Sequence, residues 1–150
     1  ALTLSIGTLV RNCTIVNNPT GIYMHGGISN VLNCIIWSNI NYDIVSLSNI
    51  NIYHTSYNAN KSDFWEGPST NSFGNNTTIP PLFVSSSSPL GADGKISSDD
   101  GYRLSTTSTN PCWNTGLSLQ NPYSIAVPST DLLGITRPQG SGVDMGAYEQ

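Results

Sequence analysis

Over roughly the first 60 residues, apolar and polar positions alternate with a period of two, which is the pattern of half-buried β-strands. Clusters of Gly, Asn and Pro interrupt the runs, as in NNPTG at 17–21, HGG at 25–27 and SNINYD at 38–43. The runs do not follow the 3.6-residue period of an amphipathic helix. The pattern therefore predicts short strands joined by turns.

One seven-residue pattern occurs twice at a fixed offset. NCTIVNN at 12–18 returns as NCIIWSN at 33–39, and Val10 and Val31 precede the two copies. A period of about twenty residues is typical of stacked-repeat proteins, in which one unit cannot bury its apolar face alone. About three short strands and their turns fit into one period. The sequence thus predicts an all-β fold, a right-handed parallel β-helix in which each repeat forms one coil.

Stacked coils place equivalent residues above one another, about 4.8 Å apart. Side chains that point inward then form apolar columns, and asparagines at corners form ladders whose amides bond along the stacking axis. The predicted columns are Cys13 on Cys34, Ile15 on Ile36, Asn12 on Asn33 and Asn18 on Asn39.

The three cysteines do not form a disulfide framework, because their number is odd, and no CxxC motif or Cys/His cluster suggests zinc. Cys13 and Cys34 occupy equivalent repeat positions, so adjacent coils bring them within bonding range. Two readings stay open for this pair, a disulfide or two small buried hydrophobic residues. The second reading is favoured, since free cysteine is among the most buried residue types.

The repeat weakens along the chain. DIVSLSNINIYHTSYN at 43–58 follows the same plan as a third coil, and beyond about Asn60 the period is lost. We therefore predict about three coils in residues 1–60 and an irregular C-terminal cap and tail in 61–150, packed on the last coil. Together they would form one structural domain, the C-terminal part of a longer protein.

The composition narrows the range of partners. Only 9% of the residues are charged and the net charge is −4, with five Lys and Arg in total. Phosphate contacts need clusters of basic residues, so nucleic acid and anionic membranes are poor partners. No apolar stretch approaches the length of a membrane-spanning helix. A surface of short amides and hydroxyls suits neutral polymers such as glycans.

There is little support in the sequence for catalysis within this segment. A β-helix glycosidase needs two carboxylates on neighbouring coils, whereas Asp43 is the only acidic residue in the coils. His25 and His54 are out of phase with the repeat, and DGKISSDD at 93–100 lacks the spacing of a calcium loop. We therefore predict no catalytic residue, no cofactor and no metal site.

Two groups of side chains are nevertheless candidates for a role. Trp37, Tyr57 and Trp65 are candidate glycan contacts, with packing in the core or cap as the alternative. Arg137 and Asp144, which flank two glycines, are predicted to clamp the tail to the last coil, either as a partly buried ion pair or through backbone bonds.

The C-terminal half carries recognisable motifs. PPLFV at 80–84, DGYRLSTTSTNPCWNTG at 100–116 and TDLLGITRPQGSGVDMGAYE at 130–149 stand beside the NCIIWSN repeat. Together they resemble bacterial right-handed parallel β-helix repeat proteins with the tail RPxGxxxDxGAYE, similar to surface proteins of the polymorphic outer-membrane-protein and choice-of-anchor type. Pro81 stands where that family has Asp, and CWN at 112–114 replaces its Ala-Ile-Asp. The resemblance implies the fold strongly and an activity only weakly.

These observations favour a non-catalytic β-helix module at the bacterial cell surface or outside the cell, acting as a stalk, in adhesion or in glycan contact. The alternative is the last coils and cap of a polysaccharide lyase or glycoside hydrolase whose catalytic coils lie upstream. Glycans are the expected partners, without membrane insertion. The uncovered edge of the N-terminal coil also predicts self-association, strand edge to strand edge.

Overall fold

A computed structural model describes residues 1–64, 71–118, 121 and 124–150. The chain winds into a parallel β-helix of about three coils, which confirms the predicted fold class. Within the described residues there is no α-helix, and a single 3-10 turn spans Ala59–Lys61. An irregular segment follows the coils and lies against their side. We call the described residues between 78 and 150 the tail.

Each coil contributes one strand to each of three parallel sheets. The strands of the three coils are β1 (Leu2–Leu4), β2 (Leu9–Arg11) and β3 (Thr14–Val16); β4 (Thr20–Met24), β5 (Ser29–Leu32) and β6 (Ile35–Trp37); β7 (Tyr42–Ser46), β8 (Ile50–Tyr53) and β9 (Ser56–Tyr57). The strands β10 (Ser62–Phe64) and β11 (Ser72–Gly74) begin a further coil. Sheet A has the order β1-β4-β7-β10, sheet B the order β2-β5-β8-β11 and sheet C the order β3-β6-β9.

The parallel pairing extends past residue 60, where the loss of the sequence repeat predicts the end of the coils. β10 pairs with β7, and β11 pairs with β8. Thr77 then forms a parallel bridge to Ser56. The alternating apolar pattern is weak in this part of the chain, but the backbone still follows the strands beneath it, since parallel pairing requires only main-chain groups.

In two of the three sheets, paired residues on neighbouring coils are always separated by the same number of residues. In sheet B, Val31 pairs with Val10 and Ile52, and in sheet C, Ile36 pairs with Ile15 and Tyr57. All of these partners have the same separation along the chain as the two copies of the repeated pattern. Sheet A absorbs the variation in coil length, because the partners of Ile22 are Leu2 and Ile44. The coils therefore differ in length at this sheet and not at the other two.

The corner between sheets B and C explains the repeated asparagine. Its residues have left-handed backbones, with φ of 48° at Asn12, 50° at Asn33, 47° at His54 and 52° at Asn75. Asn and Asp adopt this conformation more readily than other residues that carry a side chain. The same letter returns because each coil makes the same turn there.

One predicted asparagine ladder is present and another is not. The side-chain amide of Asn18 donates to the side-chain oxygen of Asn39 at 3.4 Å, which confirms that ladder. Asn12 and Asn33 stack at the corner, but their amides do not bond to each other. Asn33 instead bonds to Leu117 of the tail, and the amide atoms of Asn12 have no partner in the described part of the chain.

The core is a set of inward columns, as predicted. Ile36 and Cys34 are fully buried, whereas Ile15 and Cys13 on the first coil are only partly covered. The column of Ile15 and Ile36 ends in Tyr57, whose ring packs against Phe64 with centroids 5.9 Å apart. All three cysteines are free, so Cys13 and Cys34 stack as thiols.

The tail lies along the side of the coils and reaches all three, and the expectation that it packs on the last coil alone is wrong. Ala147 donates its N–H to the hydroxyl of Thr14 in the first coil, and Gly146 donates to the carbonyl of Asn33 in the second. His54 in the third coil places Nδ1 2.9 Å from the carbonyl oxygen of Thr115. The corner supplies this docking surface because its backbone turns away from the sheets and leaves groups free to bond.

Two small apolar clusters seal the junction between coils and tail. Leu32 packs with Leu117, Val127 and Val143 in one cluster, and Ile35 packs with Leu104, Cys112 and Met145 in the other. Leu32 and Ile35 are both almost completely buried although they lie outside the main core. The tail therefore covers an apolar stripe that the coils would otherwise expose.

The first coil has an open edge. β1, β2 and β3 each stand at the end of their sheet, and Ile6 between the first two strands is 78% exposed. An unpaired strand edge is a template for pairing with another chain. Self-association through this edge stays a prediction.

Candidate functional site

A groove lined by three aromatic side chains, Trp37, Phe83 and Tyr102, lies between sheet C and the tail. Trp37 ends β6, and Val16 ends β3 directly beside it in register. We name this site the Trp37 groove, and it encloses about 330 Å³. Its lining residues are Val16, Asn17, Trp37, Ser38, Pro80, Pro81, Phe83, Ser86 and Tyr102. The volume is in the range of pockets that accept small ligands.

The corner that follows sheet C in each coil brings polar groups into the groove. Asn17 and Ser38 follow β3 and β6 and have left-handed backbones, with φ of 59° and 57°. This sharp turn ends each strand and directs the chain away from sheet C. An amide and a hydroxyl therefore stand beside the indole of Trp37, one from each of two neighbouring coils.

The opposite wall is held by a short antiparallel contact in the tail. Phe83 pairs with Leu104, and Val84 donates its N–H to the carbonyl of Arg103 at 2.9 Å. This contact places the rings of Phe83 and Tyr102 edge to face, with centroids 5.2 Å apart. Trp37 and Phe83 both pack against the buried cluster that contains Leu104. The aromatic walls are thus anchored from behind and do not depend on a ligand for their position.

The groove is electrically neutral. All nine lining residues that the structure describes are uncharged. Burial raises the pKa of Tyr102, so its hydroxyl keeps its proton at neutral pH. Asn17 donates an amide hydrogen to that hydroxyl, which leaves the phenolic proton available for a second partner. The site combines aromatic faces with neutral donors and acceptors, and it suits an uncharged polar ligand with apolar faces.

The predicted glycan contacts are not brought together by the fold. Trp37 lines the groove. Tyr57 is almost fully buried in the core, where it continues the inward column above Ile36, so it is not available to a ligand. Trp65 lies outside the described residues. The sequence does not distinguish the three residues, because an aromatic side chain near the end of a strand can point either into the core or out of it.

The tail residues of the groove were not identified as candidates from the sequence. Phe83 and Tyr102 lie in the PPLFV and DGYRLS motifs, within the segment predicted to form the cap. Their sequence separation from Trp37 gives no indication of contact. A weak signal existed in Asn17 and Ser38, whose spacing equals that of the repeat and indicates one shared corner beside Trp37.

The carboxylate of Asp43 in the coils has a structural position. Asp43 is completely buried, and its oxygens accept hydrogen bonds from the backbone N–H and the side-chain amide of Asn39 and from the N–H of Asn58, at 2.9–3.0 Å. It fixes the turn between sheets C and A and has no access to a substrate. In the described part of the chain, no group of three or more His, Cys, Asp or Glu is placed to hold a metal ion.

The predicted clamp of Arg137 and Asp144 exists in a different form. Arg137 forms its ion pair with Glu149 at 2.8 Å, and both side chains are buried. Its contact with Asp144 is a bond to the main-chain oxygen at 3.2 Å. The carboxylate of Asp144 accepts the N–H groups of Asn114 and Gln150 instead. These bonds order the tail internally, and the docking on the coils is made by other residues.

Comparison with protein-family models, with curated proteins and with solved structures gives no significant match. The resemblance noted from the tail motifs therefore stays a prediction. A search of the described residues for a helix long and apolar enough to cross a membrane finds none.

Proposed function

We propose that this chain is a non-catalytic module that binds neutral glycans in the Trp37 groove. The single observation that carries the proposal is the composition of that groove, in which Trp37, Phe83 and Tyr102 stand around neutral amide and hydroxyl groups. Sugar rings present apolar C–H faces and polar hydroxyl edges. Aromatic rings cover the faces, and amides and hydroxyls bond to the edges.

The surroundings of the groove support binding and not turnover. Glycoside hydrolysis needs two carboxylates flanking one bond, and none of the described lining residues is acidic. Among the same described residues there is no basic side chain that would neutralise a uronate. The same neutrality favours uncharged sugars over polyuronates as ligands.

We propose a location at the bacterial cell surface or outside the cell. Two sequence observations support it, the tail motif RPxGxxxDxGAYE at 137–149 and a composition in which only 9% of residues are charged. A module of this kind would hold its parent protein to a glycan or serve as a stalk that contacts one.

Isothermal titration of the chain with neutral oligosaccharides, using cello-, xylo- and manno-oligosaccharides, tests the proposal. Wild type is expected to bind at least one of these, with oligogalacturonides binding more weakly. Trp37→Ala should weaken binding about tenfold or more, which corresponds to about 1.4 kcal/mol. Tyr102→Phe should have a smaller effect, because it removes one hydroxyl and keeps the ring.

Trp113→Phe is the matched control, since Trp113 is a partly buried tail residue that does not line the groove. It should leave the affinity unchanged. Equal affinity of wild type and Trp37→Ala would contradict the proposed site, and failure of wild type to bind any neutral oligosaccharide would contradict glycan binding altogether. Release of reducing ends or unsaturated products from a polysaccharide would contradict the non-catalytic assignment.

A further inference from the structure

A second groove lies where the first coil meets the tail, and a cysteine stands in its wall. This groove encloses about 370 Å³, and its lining includes Arg11, Cys13, Thr14, Asp131 and Arg137. The side chain of Cys13 is partly exposed. Cys34, one coil further along the column, is completely buried. A small reagent can therefore reach one thiol of the stacked pair and not the other.

The two thiols have the same geometry on adjacent coils. Cys13 bonds to the carbonyl of Arg11 at 3.2 Å, and Cys34 bonds to the carbonyl of Leu32 at 3.2 Å. Ile35 donates its N–H to the carbonyl of Cys13 at 2.8 Å, so the two cysteines lie on directly adjacent rungs. Neighbouring rungs are roughly 4.7–4.9 Å apart, within the roughly 4.4–6.8 Å that separate Cα atoms across a disulfide.

The environment divides the two sulfurs into an attacking and a resolving group. A hydrogen bond from the Cys34 thiol, made in place of its bond to the carbonyl of Leu32, lowers the pKa of Cys13 to about 7. Burial raises the pKa of Cys34 well above its ordinary value. Three charged residues belong to the described lining of this groove, namely Arg11, Asp131 and Arg137. A thiolate at the accessible position is the form that reacts with oxidants.

We propose that Cys13 and Cys34 are a peroxide-sensitive thiol pair that closes to a disulfide between the first and second coils. The Cys13 thiolate attacks one oxygen of a hydroperoxide, the O–O bond breaks, and Cys13 becomes a sulfenic acid while hydroxide leaves and takes up a proton. The Cys34 sulfur then attacks the Cys13 sulfur. The S–O bond breaks, and water leaves with the proton of Cys34. With hydrogen peroxide, two thiols and one peroxide give one disulfide and two waters.

This inference is independent of the proposed glycan function, because neither cysteine lines the Trp37 groove. Cys112 provides an internal control. It is free and completely buried in the junction between coils and tail, and burial raises its pKa to about 12. A thiol in this state is unreactive, so oxidation should distinguish the pair from the third cysteine.

The test is treatment of the reduced chain with hydrogen peroxide near neutral pH, followed by a count of thiols in denaturant. The count should fall from three to one. Chymotrypsin cleaves after Tyr23, between the two cysteines, so peptide mass spectrometry should find their peptides joined. The Cys112→Ser variant should fall from two thiols to none with the same joined peptides.

Three results would overturn the proposal: an unchanged thiol count, oxidation of Cys13 to a sulfinic acid with Cys34 still free, or a disulfide between two chains on a non-reducing gel. The Cys34→Ser variant sharpens the test. Without a resolving thiol, the sulfenic acid at Cys13 should persist and react with dimedone. Peptide mapping of wild type and Cys112→Ser decides the question even where Cys34→Ser folds poorly.

Discussion

The coils and the tail of this protein stabilise buried main chain in two different ways. In the coils, parallel strands in three sheets bond to one another, and each coil repeats the bonds of the last. Between residues 78 and 150, the described chain forms only isolated bridges, at Phe83–Leu104, Gly116–Val143 and Thr130–Thr136. Other main-chain groups there bond within turns or to single side chains, as the N–H groups of Asn114 and Gln150 do to the carboxylate of Asp144.

The buried charges show the same contrast. In the coils, Asp43 is the only fully buried ionisable carboxylate among the described residues, whereas the tail buries Asp100, Asp144, Glu149 and Arg137. A repeated ladder spreads its stability over many equivalent bonds. A one-off polar network depends on a few charged groups that are costly to leave unpaired. Single substitutions of polar residues should therefore be more damaging in the tail than in the coils.

The largest effect is expected from Arg137→Met. This change leaves the buried carboxylate of Glu149 without its ion pair and removes donors to two main-chain oxygens. We expect a loss of about 3–5 kcal/mol in the free energy of unfolding, measured by urea denaturation. The exposed Lys95→Met is the control and should change little. The double variant Arg137→Met with Glu149→Gln should be less destabilised, and a loss in the single variant no larger than that of the control would refute the contrast.

The second largest effect is expected in the pH dependence of the free energy of unfolding, through Asp144 in the tail. Burial raises the pKa of Asp144 from 3.8 to about 6, with a further contribution from the negative charge of Glu149. The folded state then binds this proton more tightly than the unfolded state, so the contribution of Asp144 to stability is greatest below about pH 4 and is lost as the pH rises through about 6. The loss amounts to at most about 3 kcal/mol.

The comparison of wild type with Asp144→Asn isolates this term. The variant cannot titrate at position 144, so the difference in unfolding free energy between the two proteins should change between pH 4 and pH 6, with wild type losing more. Asp63→Asn, at an exposed position of β10, should run parallel to wild type. A difference that does not vary with pH would show that Asp144 does not titrate in this range.

A third prediction concerns the free energy that the bonds between the tail and the coils contribute to stability. Asn33 and Asn12 have nearly the same backbone, with φ of 50° and 48°, but only Asn33 bonds to Leu117 of the tail, at 3.0 Å through its amide nitrogen and 2.6 Å through its oxygen. Alanine at either site meets the same left-handed strain. Asn33→Ala should therefore cost roughly 1–3 kcal/mol more than Asn12→Ala in urea denaturation. Equal costs would mean that these bonds contribute nothing to docking.

The smallest effect is expected in a coil ladder. The side chain of Asn51 donates to that of Asn30 at 3.0 Å across sheet B. This bond is partly exposed and one of many, so a double-mutant cycle of Asn30→Ala and Asn51→Ala should give a coupling of about 0.5–1 kcal/mol. A coupling as large as the effect of Arg137→Met would remove the distinction between coils and tail.

The predictable part of the fold is the part that repeats. The pair NCTIVNN and NCIIWSN contains the period, the inward column and the corner, because each coil meets the same neighbours and needs the same residues. Even so, the reason for Asn12 and Asn33 is their left-handed backbone, whereas the sequence suggested a ladder of amides. The site was only partly predictable, since Trp37 was a candidate together with the buried Tyr57.

By itself, the sequence determined the β-helix, the length of its repeat and the low content of charged residues. These are local or periodic properties, which depend on residue type and spacing. Only the tertiary structure decided that the tail runs along the side of the coils, that Arg137 pairs with Glu149, and that Phe83 and Tyr102 face Trp37. Contacts of this kind occur once in the chain and join residues far apart in sequence. No periodic pattern in the sequence therefore predicts them.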